Sequence, residues 1–251
     1  MKKILGAILM LAALLSAVPS FAREEGPRVL MVLTSHSELG DSGEKTGFWM
    51  AELTHPYFAL RKAGIPVEIV SISGGKAPVD PRSLKEDDED NQRFLRDPQT
   101  RGLIEDTRPL SDVDPANYAA VIFVGGHGTM WDFPDHADVN RVAAGIYQAN
   151  GVVAAVCHGP AALVGVTLGD GTKLIAGRRV TGFTNSEERA VGLEDVVPFM
   201  LEDALGKAGA RFQGAPDWES NVVVDGRLIT GQNPASARAL GKAVAEAVKG
   251  Q

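Results

Sequence analysis

The chain has one cysteine, Cys157, which closes the apolar run Gly151-Val152-Val153-Ala154-Ala155-Val156 and opens the turn His158-Gly159-Pro160. A buried strand that breaks into a sharp turn and then a helix is the geometry of a nucleophile elbow, which holds a side chain above the sheet edge on strained backbone. His158 follows at once as a proton acceptor. A helix opening near Gly159 and Pro160 would add N–H groups and a positive dipole end, and all of these favour thiolate over thiol. Such a thiolate attacks electrophilic carbon and forms covalent intermediates. The bland alternative is a cysteine that is simply a small buried hydrophobe.

A nucleophilic thiol needs a proton partner, and the five histidines are His36, His55, His127, His136 and His158. His158 is the leading base, and it needs an acceptor to fix its tautomer and orientation. The polar run Thr181-Gly182-Phe183-Thr184-Asn185-Ser186-Glu187-Glu188 offers one, without choosing between Glu187 and Glu188. Glu52 stands among Phe48, Trp49, Met50, Ala51 and Leu53 with no basic neighbour. If its helix turns it inward, desolvation raises its pKa and lets it carry a proton near the thiol; otherwise it is a helix-surface glutamate. His55 and Tyr57 read as helix-packing residues.

The loop Gly125-Gly126-His127-Gly128-Thr129 follows a buried strand and resembles those whose backbone N–H groups receive an oxyanion, with Gly126 and His127 as the contacts to substrate. It has neither the G-x-G-x-x-G spacing of a dinucleotide site nor the ending of a P-loop. His127 has no second metal ligand at a local spacing and reads as an orienting or structural histidine. Neither a metal nor an organic cofactor is expected.

These residues must be positioned by an α/β framework. Apolar runs over 28–34, 67–72, 119–124 and 152–156 read as strands buried on both faces, alternating with helical periodicity. Val139, Val142, Ala143, Ile146 and Tyr147 mark an amphipathic helix that Asn150-Gly151 ends. Residues 47–63 form a helical segment that Pro56 should kink or restart. Asp225-Gly226 is expected to turn a hairpin between 221–224 and 227–230. Asn233 should cap, and Pro234 begin, a last helix with Ala237, Leu240, Val244 and Val248 facing inward. Residues 74–114 are polar, rich in Pro and Asp, and carry the acidic run Glu86-Asp87-Asp88-Glu89-Asp90. They read as a small inserted flap or subdomain, the acidic run being a solvated surface rather than a cation site.

Residues 1–22 have the layout of an export signal: Lys2 and Lys3, an apolar stretch from Ile4 to Val18, and Ser20-Phe21-Ala22 as a cleavage site. The stretch is shorter than the ~20 residues a membrane span needs. Cleavage predicts a periplasmic protein of residues 23–251 forming one domain, with no membrane association after processing. Losing Lys2 and Lys3 moves the formal charge from −7 to −9 (23 Lys and Arg against 32 Asp and Glu). Such acidity argues against a nucleic-acid partner.

Five separated motifs, in order, resemble the ThiJ/PfpI superfamily, a class I glutamine amidotransferase-like group. They are Thr46-Gly47 with Glu52 and His55-Pro56; Gly126-His127-Gly128-Thr129 with Asp132 and Pro134; Ala154 to Pro160; Thr181 to Thr184; and Thr230 to Ala237. Within it the match is to the heat-shock chaperone-like branch of glutathione-independent glyoxalases, glyoxalase III. The glutamine amidotransferases themselves take their base from a histidine far downstream of the cysteine. No histidine follows His158, so that triad cannot be assembled here.

The resemblance implies a flavodoxin-like three-layer sandwich with a mostly parallel sheet, and a homodimer. It implies Cys157 as nucleophile, His158 as base, Glu52 as a protonated carboxyl beside the thiol and Glu188 as the acid completing the triad. The backbone N–H groups of Gly126 and His158 would form the oxyanion hole. The implied activity is conversion of methylglyoxal or a related small 2-oxoaldehyde to a 2-hydroxy acid, a lyase of the D-lactate dehydratase type. Other classes of function are a stress-response holding chaperone or protein deglycase with a redox-sensitive cysteine, and a cysteine amidohydrolase or peptidase.

Overall fold

The computed structural model describes residues 26–85 and 87–251; the expected export signal over residues 1–22, and Glu86 of the acidic run, lie outside them. Strands are β1 (Val29–Leu33), β2 (Val67–Ser71), β3 (Arg108–Pro109), β4 (Ala120–Phe123), β5 (Val152–Val156), β6 (Arg179–Val180), β7 (Arg211–Phe212), β8 (Val222–Asp225) and β9 (Leu228–Gly231). Helices are α1 (Met50–Lys62), α2 (Glu89–Arg96), α3 (Pro98–Glu105), α4 (Thr129–Asp132), α5 (Ala137–Gln148), α6 (Asn185–Ala190), α7 (Leu201–Lys207) and α8 (Ala237–Lys249). No helix among the described residues is long and apolar enough to cross a membrane.

Seven strands form one sheet in the order β3-β2-β1-β4-β5-β9-β8, parallel throughout except for β8 on β9. β1, β4 and β5 are buried at every position, which requires helices on both faces and explains why these runs carry no polar alternation. This is the flavodoxin-like α/β architecture expected. Chain order reverses direction across the sheet between β1 and β4, and in open α/β sheets ligands settle beyond the carboxyl ends of the strands at such a point. The loops that follow β1, β4 and β5 meet there.

Two expectations shift. α1 starts at Met50 and runs unbroken through Pro56 to Lys62. Pro56 withdraws one N–H from the ladder, but the helix is clamped against α8, where Gly241 lies so close that a Cβ there would sit 2.5 Å from the Pro56 Cα. Packing thus keeps the helix continuous through Pro56, so the chain does not restart there. In the hairpin, Asp225 pairs with Leu228, so the loop is Gly226-Arg227, one residue later than expected. Gly226 takes φ +62° at the first loop position, which glycine adopts without strain.

α5 buries Val139, Val142, Ala143, Ile146 and Tyr147. α8 buries Ala237, Leu240, Val244 and Val248, with a 3-10 turn over Pro234–Ser236 leading into it. Within residues 74–114, Phe94, Ile104, Leu110 and Val113 join the core, and β3 extends the sheet edge. Two residues of the acidic run are paired: Asp88 accepts from the Asn91 N–H at the start of α2 and pairs with His55 at 2.8 Å, while Asp90 pairs with Arg238 at 2.7 Å.

Candidate active site

Cys157 sits one residue past β5 with φ +58°, a left-handed conformation that a non-glycine residue holds only when its surroundings impose it. Its N–H donates to the Gly231 carbonyl at 2.9 Å and its carbonyl accepts from Phe183 N–H at 2.8 Å, so flanking segments lock the turn. The elbow is therefore present. The helix that follows is only a 3-10 turn, Gly159–Leu163, and its dipole is correspondingly small.

His158 is fully buried, with Nδ1 3.3 Å from Cys157 Sγ and Nε2 2.7 Å from Glu188 Oε2. Because Glu188 is an acceptor when ionised, Nε2 carries the proton and Nδ1 faces the sulfur as a base. Glu188 reaches this position from the first turn of α6, whose cap is built by its neighbour. Thr184 Oγ1 accepts from the Glu187 N–H at 3.0 Å, and the Glu187 carboxylate accepts from the Thr184 N–H at 3.0 Å. Glu187 Oε1 also accepts from Asn233 Nδ2 at 2.8 Å and Trp218 N–H at 2.9 Å. The pair that the sequence left open thus divides: Glu188 meets the histidine, and Glu187 ties three loops together.

Glu52 is fully buried on α1 and turned toward the sulfur, so the helix-surface alternative is excluded. Gly125 makes the room: a Cβ there would lie 2.3 Å from Glu52 Oε2 and 2.3 Å from the Val156 carbonyl oxygen. Burial, then the charge and hydrogen bond of Glu52, pushes the Cys157 thiol well above its ordinary value. The expectation that its surroundings favour thiolate outright is corrected here. Cys157 is only 4 % exposed, and its sulfur faces carboxyl groups that oppose a second negative charge beside them.

Spacing gave no sign of what surrounds His127. Its Nε2 lies 3.0 Å from Glu188 Oε1, so one carboxylate serves both rings, whose centroids are 4.0 Å apart. Its Nδ1 accepts from Arg82 at 3.1 Å, and Arg82 is held by the buried Asp80 at 2.6 Å, which also accepts from Thr46 Oγ1 at 2.9 Å. Burial and the charge of His158 lower His127 to about 4, against the pull of Glu188. Burial raises Glu188, but the charge of His158 and the bonds from both rings outweigh it and hold the carboxyl well below the usual range. Arg82 and Asp80 come from the polar excursion after β2, and nothing in their local sequence marks them. His127, His158 and Glu188 also place three ligand-type atoms within 4.8 Å of one another, a trio drawn from three distant segments that local spacing cannot reveal.

Cys157, His158, Gly126, His127 and Arg82 line a cavity of about 440 Å³, closed otherwise mainly by apolar side chains. Gly126 takes φ +107°, and a Cβ there would strike the Gly47 carbonyl oxygen at 2.4 Å, so only glycine lets this loop pass against the start of α1.

Comparison with known proteins gives one consistent family. Residues 45–247 match the DJ-1/PfpI family. A glutathione-independent glyoxalase of Saccharomyces cerevisiae is 36% identical over 234 residues, covering 88% of this chain and 98% of its own. The crystal structure of glyoxalase III from Candida albicans superposes with a TM-score of 0.82 at 31% identity, covering 90% of this chain and 98% of its own. That of a Rapid Encystment Protein from Francisella tularensis gives 0.86 at 47% identity, covering 88% and 99%.

Proposed function

The chain belongs to the DJ-1/PfpI family, and from that premise we propose that it is a glutathione-independent glyoxalase acting on methylglyoxal or a related 2-oxoaldehyde. The observation that carries the reading is the sulfur of Cys157, which lines the cavity and is held between a base, His158 Nδ1 at 3.3 Å, and the buried carboxyl of Glu52.

Cys157 Sγ gives its proton to His158 or Glu52 and bonds to the aldehyde carbon, C1, forming a hemithioacetal. The backbone N–H groups of Gly126 and His158 receive its oxygen. His158 or Glu52 then takes the C1 proton, and an enediol forms across C1 and C2; returning a proton to C2 leaves a thioester of the 2-hydroxy acid. Water adds to the thioester carbonyl, the C–S bond breaks, and the thiol is regenerated. C1 is oxidised and C2 reduced within one molecule, so no external redox partner enters. Glu188 supports the positive charge that forms on His158.

The product is proposed to be the D-hydroxy acid, as expected of a D-lactate dehydratase-type lyase. Incubation with methylglyoxal, followed by enantioselective lactate assay, tests both parts. Lactate should form with wild type and fall at least 10³-fold with Cys157→Ala, on the order expected when a covalent nucleophile is removed; equal inactivity of the two proteins overturns the reading. Export and a homodimer complete the proposal. N-terminal sequencing of the secreted protein and light scattering after size-exclusion chromatography check them.

A further inference from the structure

The cavity is much larger than methylglyoxal needs. About 440 Å³ is the size that usually holds a drug-sized ligand, whereas methylglyoxal has a handful of non-hydrogen atoms. Most of its wall is apolar: beyond Gly126, Cys157, His158, His127 and Arg82 it is lined by Trp49, Phe183, Val191, Trp218, Pro234 and Ala235, with Asn233 as the remaining polar member. The aromatic members form a continuous path. Trp218 lies 5.8 Å from Phe183 between ring centroids, and Phe183 lies 4.4 Å from the ring of His158, so the path leads from the mouth to the base.

Trp218 is placed at that mouth at a conformational cost. Its φ is +65°, a region bulky residues rarely enter, and its side chain is half exposed. Three contacts keep its loop there: Trp218 N–H donates to the buried Glu187 carboxylate at 2.9 Å, Ser186 Oγ donates to Asp217 at 2.8 Å, and Ala215 N–H donates to Gln232 at 2.8 Å. Val191, 41 % exposed, is the other large apolar side chain at the rim. A tryptophan on disfavoured backbone, its main-chain N–H tied to a fully buried carboxylate and its ring half in water, is a feature that folding stability alone would not keep.

From these observations we infer that the site is shaped for 2-oxoaldehydes carrying an aromatic or large alkyl group, with Trp218 as the specificity-determining residue that covers that group. The inference rests on the glyoxalase reading above and adds the substrate class to it. The dicarbonyl end meets Cys157 and His158, and the substituent lies along Phe183 toward Trp218, where ring-on-ring contact and exclusion of water favour it.

Initial rates with phenylglyoxal and with methylglyoxal test it in wild type, Trp218→Gly and Trp218→Phe. Glycine accepts a positive φ, so the first variant removes the indole without adding strain. Wild type should show a kcat/KM for phenylglyoxal at least about tenfold that for methylglyoxal, a difference of about 1.4 kcal/mol. Trp218→Gly should lower that ratio at least about fivefold, and Trp218→Phe should keep most of it. Preference of wild type for methylglyoxal, or a ratio that Trp218→Gly leaves unmoved, overturns this inference alone. Consumption of neither aldehyde overturns the glyoxalase reading and this one with it.

Discussion

Arg82 donates to Nδ1 of His127 at 3.1 Å, and that contact decides which nitrogen of the ring faces Glu188. Arginine has no acceptor, so Nδ1 must be unprotonated and Nε2 must carry the hydrogen that meets Glu188 Oε1 at 3.0 Å. Glu188 then has one lone-pair site committed to a neutral donor and presents its other oxygen to His158. Arg82→Met should free the His127 tautomer, loosen Glu188 and lower kcat roughly tenfold, the effect of losing orientation rather than chemistry. Nitrogen-15 shifts of the His127 ring should show mixed tautomers in the variant and one in wild type. An unchanged ring spectrum would remove the positioning role.

A dependence of stability on pH follows from the same ring. Burial and the charge of His158 lower His127 to about 4 in the folded state, against ~6.5 for an unfolded histidine. Between those values the unfolded chain binds a proton that the fold refuses, so stability rises with pH across the window and falls on acidification. The contribution, fully present above about 6.5 and lost towards 4, is on the order of 3 kcal/mol. His127→Gln offers an acceptor to Arg82 and a donor to Glu188 without titrating. Urea denaturation midpoints measured from pH 4 to 7 should rise less steeply in the variant than in wild type.

Glu187 and Glu188 are adjacent and both buried, yet they should fail differently. Glu188→Gln removes the charge that supports His158 and sets an amide NH2 against one of the two ring N–H groups that the carboxylate serves, and should cost about 10²- to 10⁴-fold in kcat. Glu187→Ala leaves Asn233 Nδ2 and the Trp218 N–H without their acceptor and opens the cap of α6. About 2–3 kcal/mol of stability should go, visible as a drop of several degrees in melting temperature. Swapped outcomes in paired calorimetry and kinetics would reverse the two roles.

What could be read from residues alone follows the range of the interactions. β1, β4 and β5 are buried on both faces, so their unbroken apolar runs announced both their type and the parallel sheet. Cys157 and His158 stood out because elbow chemistry is local: strand, nucleophile and turn occupy consecutive positions. Arg82, Asp80 and the double use of Glu188 did not, because they meet the site through contacts spanning 45 and 61 residues. The state of the thiol escapes a local reading for a related reason. Local sequence displays the adjacent histidine and the turn, while the carboxyl of Glu52 arrives from a distant helix and acts with burial in the opposite direction. Pro56 shows the converse, since a strong local signal yielded to the α1–α8 contact.

The Cys157–Glu52 pair should titrate as a unit. Burial and the Glu52 charge raise the thiol, so the ionisation of the thiol depends on the charge of Glu52. The rate of alkylation by iodoacetamide against pH should therefore show two inflections in wild type. Glu52→Gln, which cannot ionise, should give a single inflection at lower pH than the upper wild-type one. Identical profiles would mean that Glu52 is electrostatically remote from the sulfur.

Gly125 offers the strictest test of that geometry, because it separates position from charge. A methyl group there would fall 2.3 Å from Glu52 Oε2, 2.3 Å from the Val156 carbonyl oxygen and 2.9 Å from the His158 nitrogen, so Gly125→Ala cannot be accommodated unless the carboxyl or the elbow moves. Overpacking of this kind costs about 1–3 kcal/mol of stability. Its larger effect should be on turnover: displacement near 1 Å at the reacting groups is worth roughly 10²-fold. Glu52→Asp withdraws the carboxyl by one methylene and should recover part of the stability when combined with Gly125→Ala, while each single variant loses activity. In a double-mutant cycle on melting free energy the two changes should therefore couple by about 0.5–3 kcal/mol in the compensating sense. Strict additivity would mean that the strain falls on the Val156 and His158 backbone instead, and that Gly125 serves the elbow rather than the carboxyl.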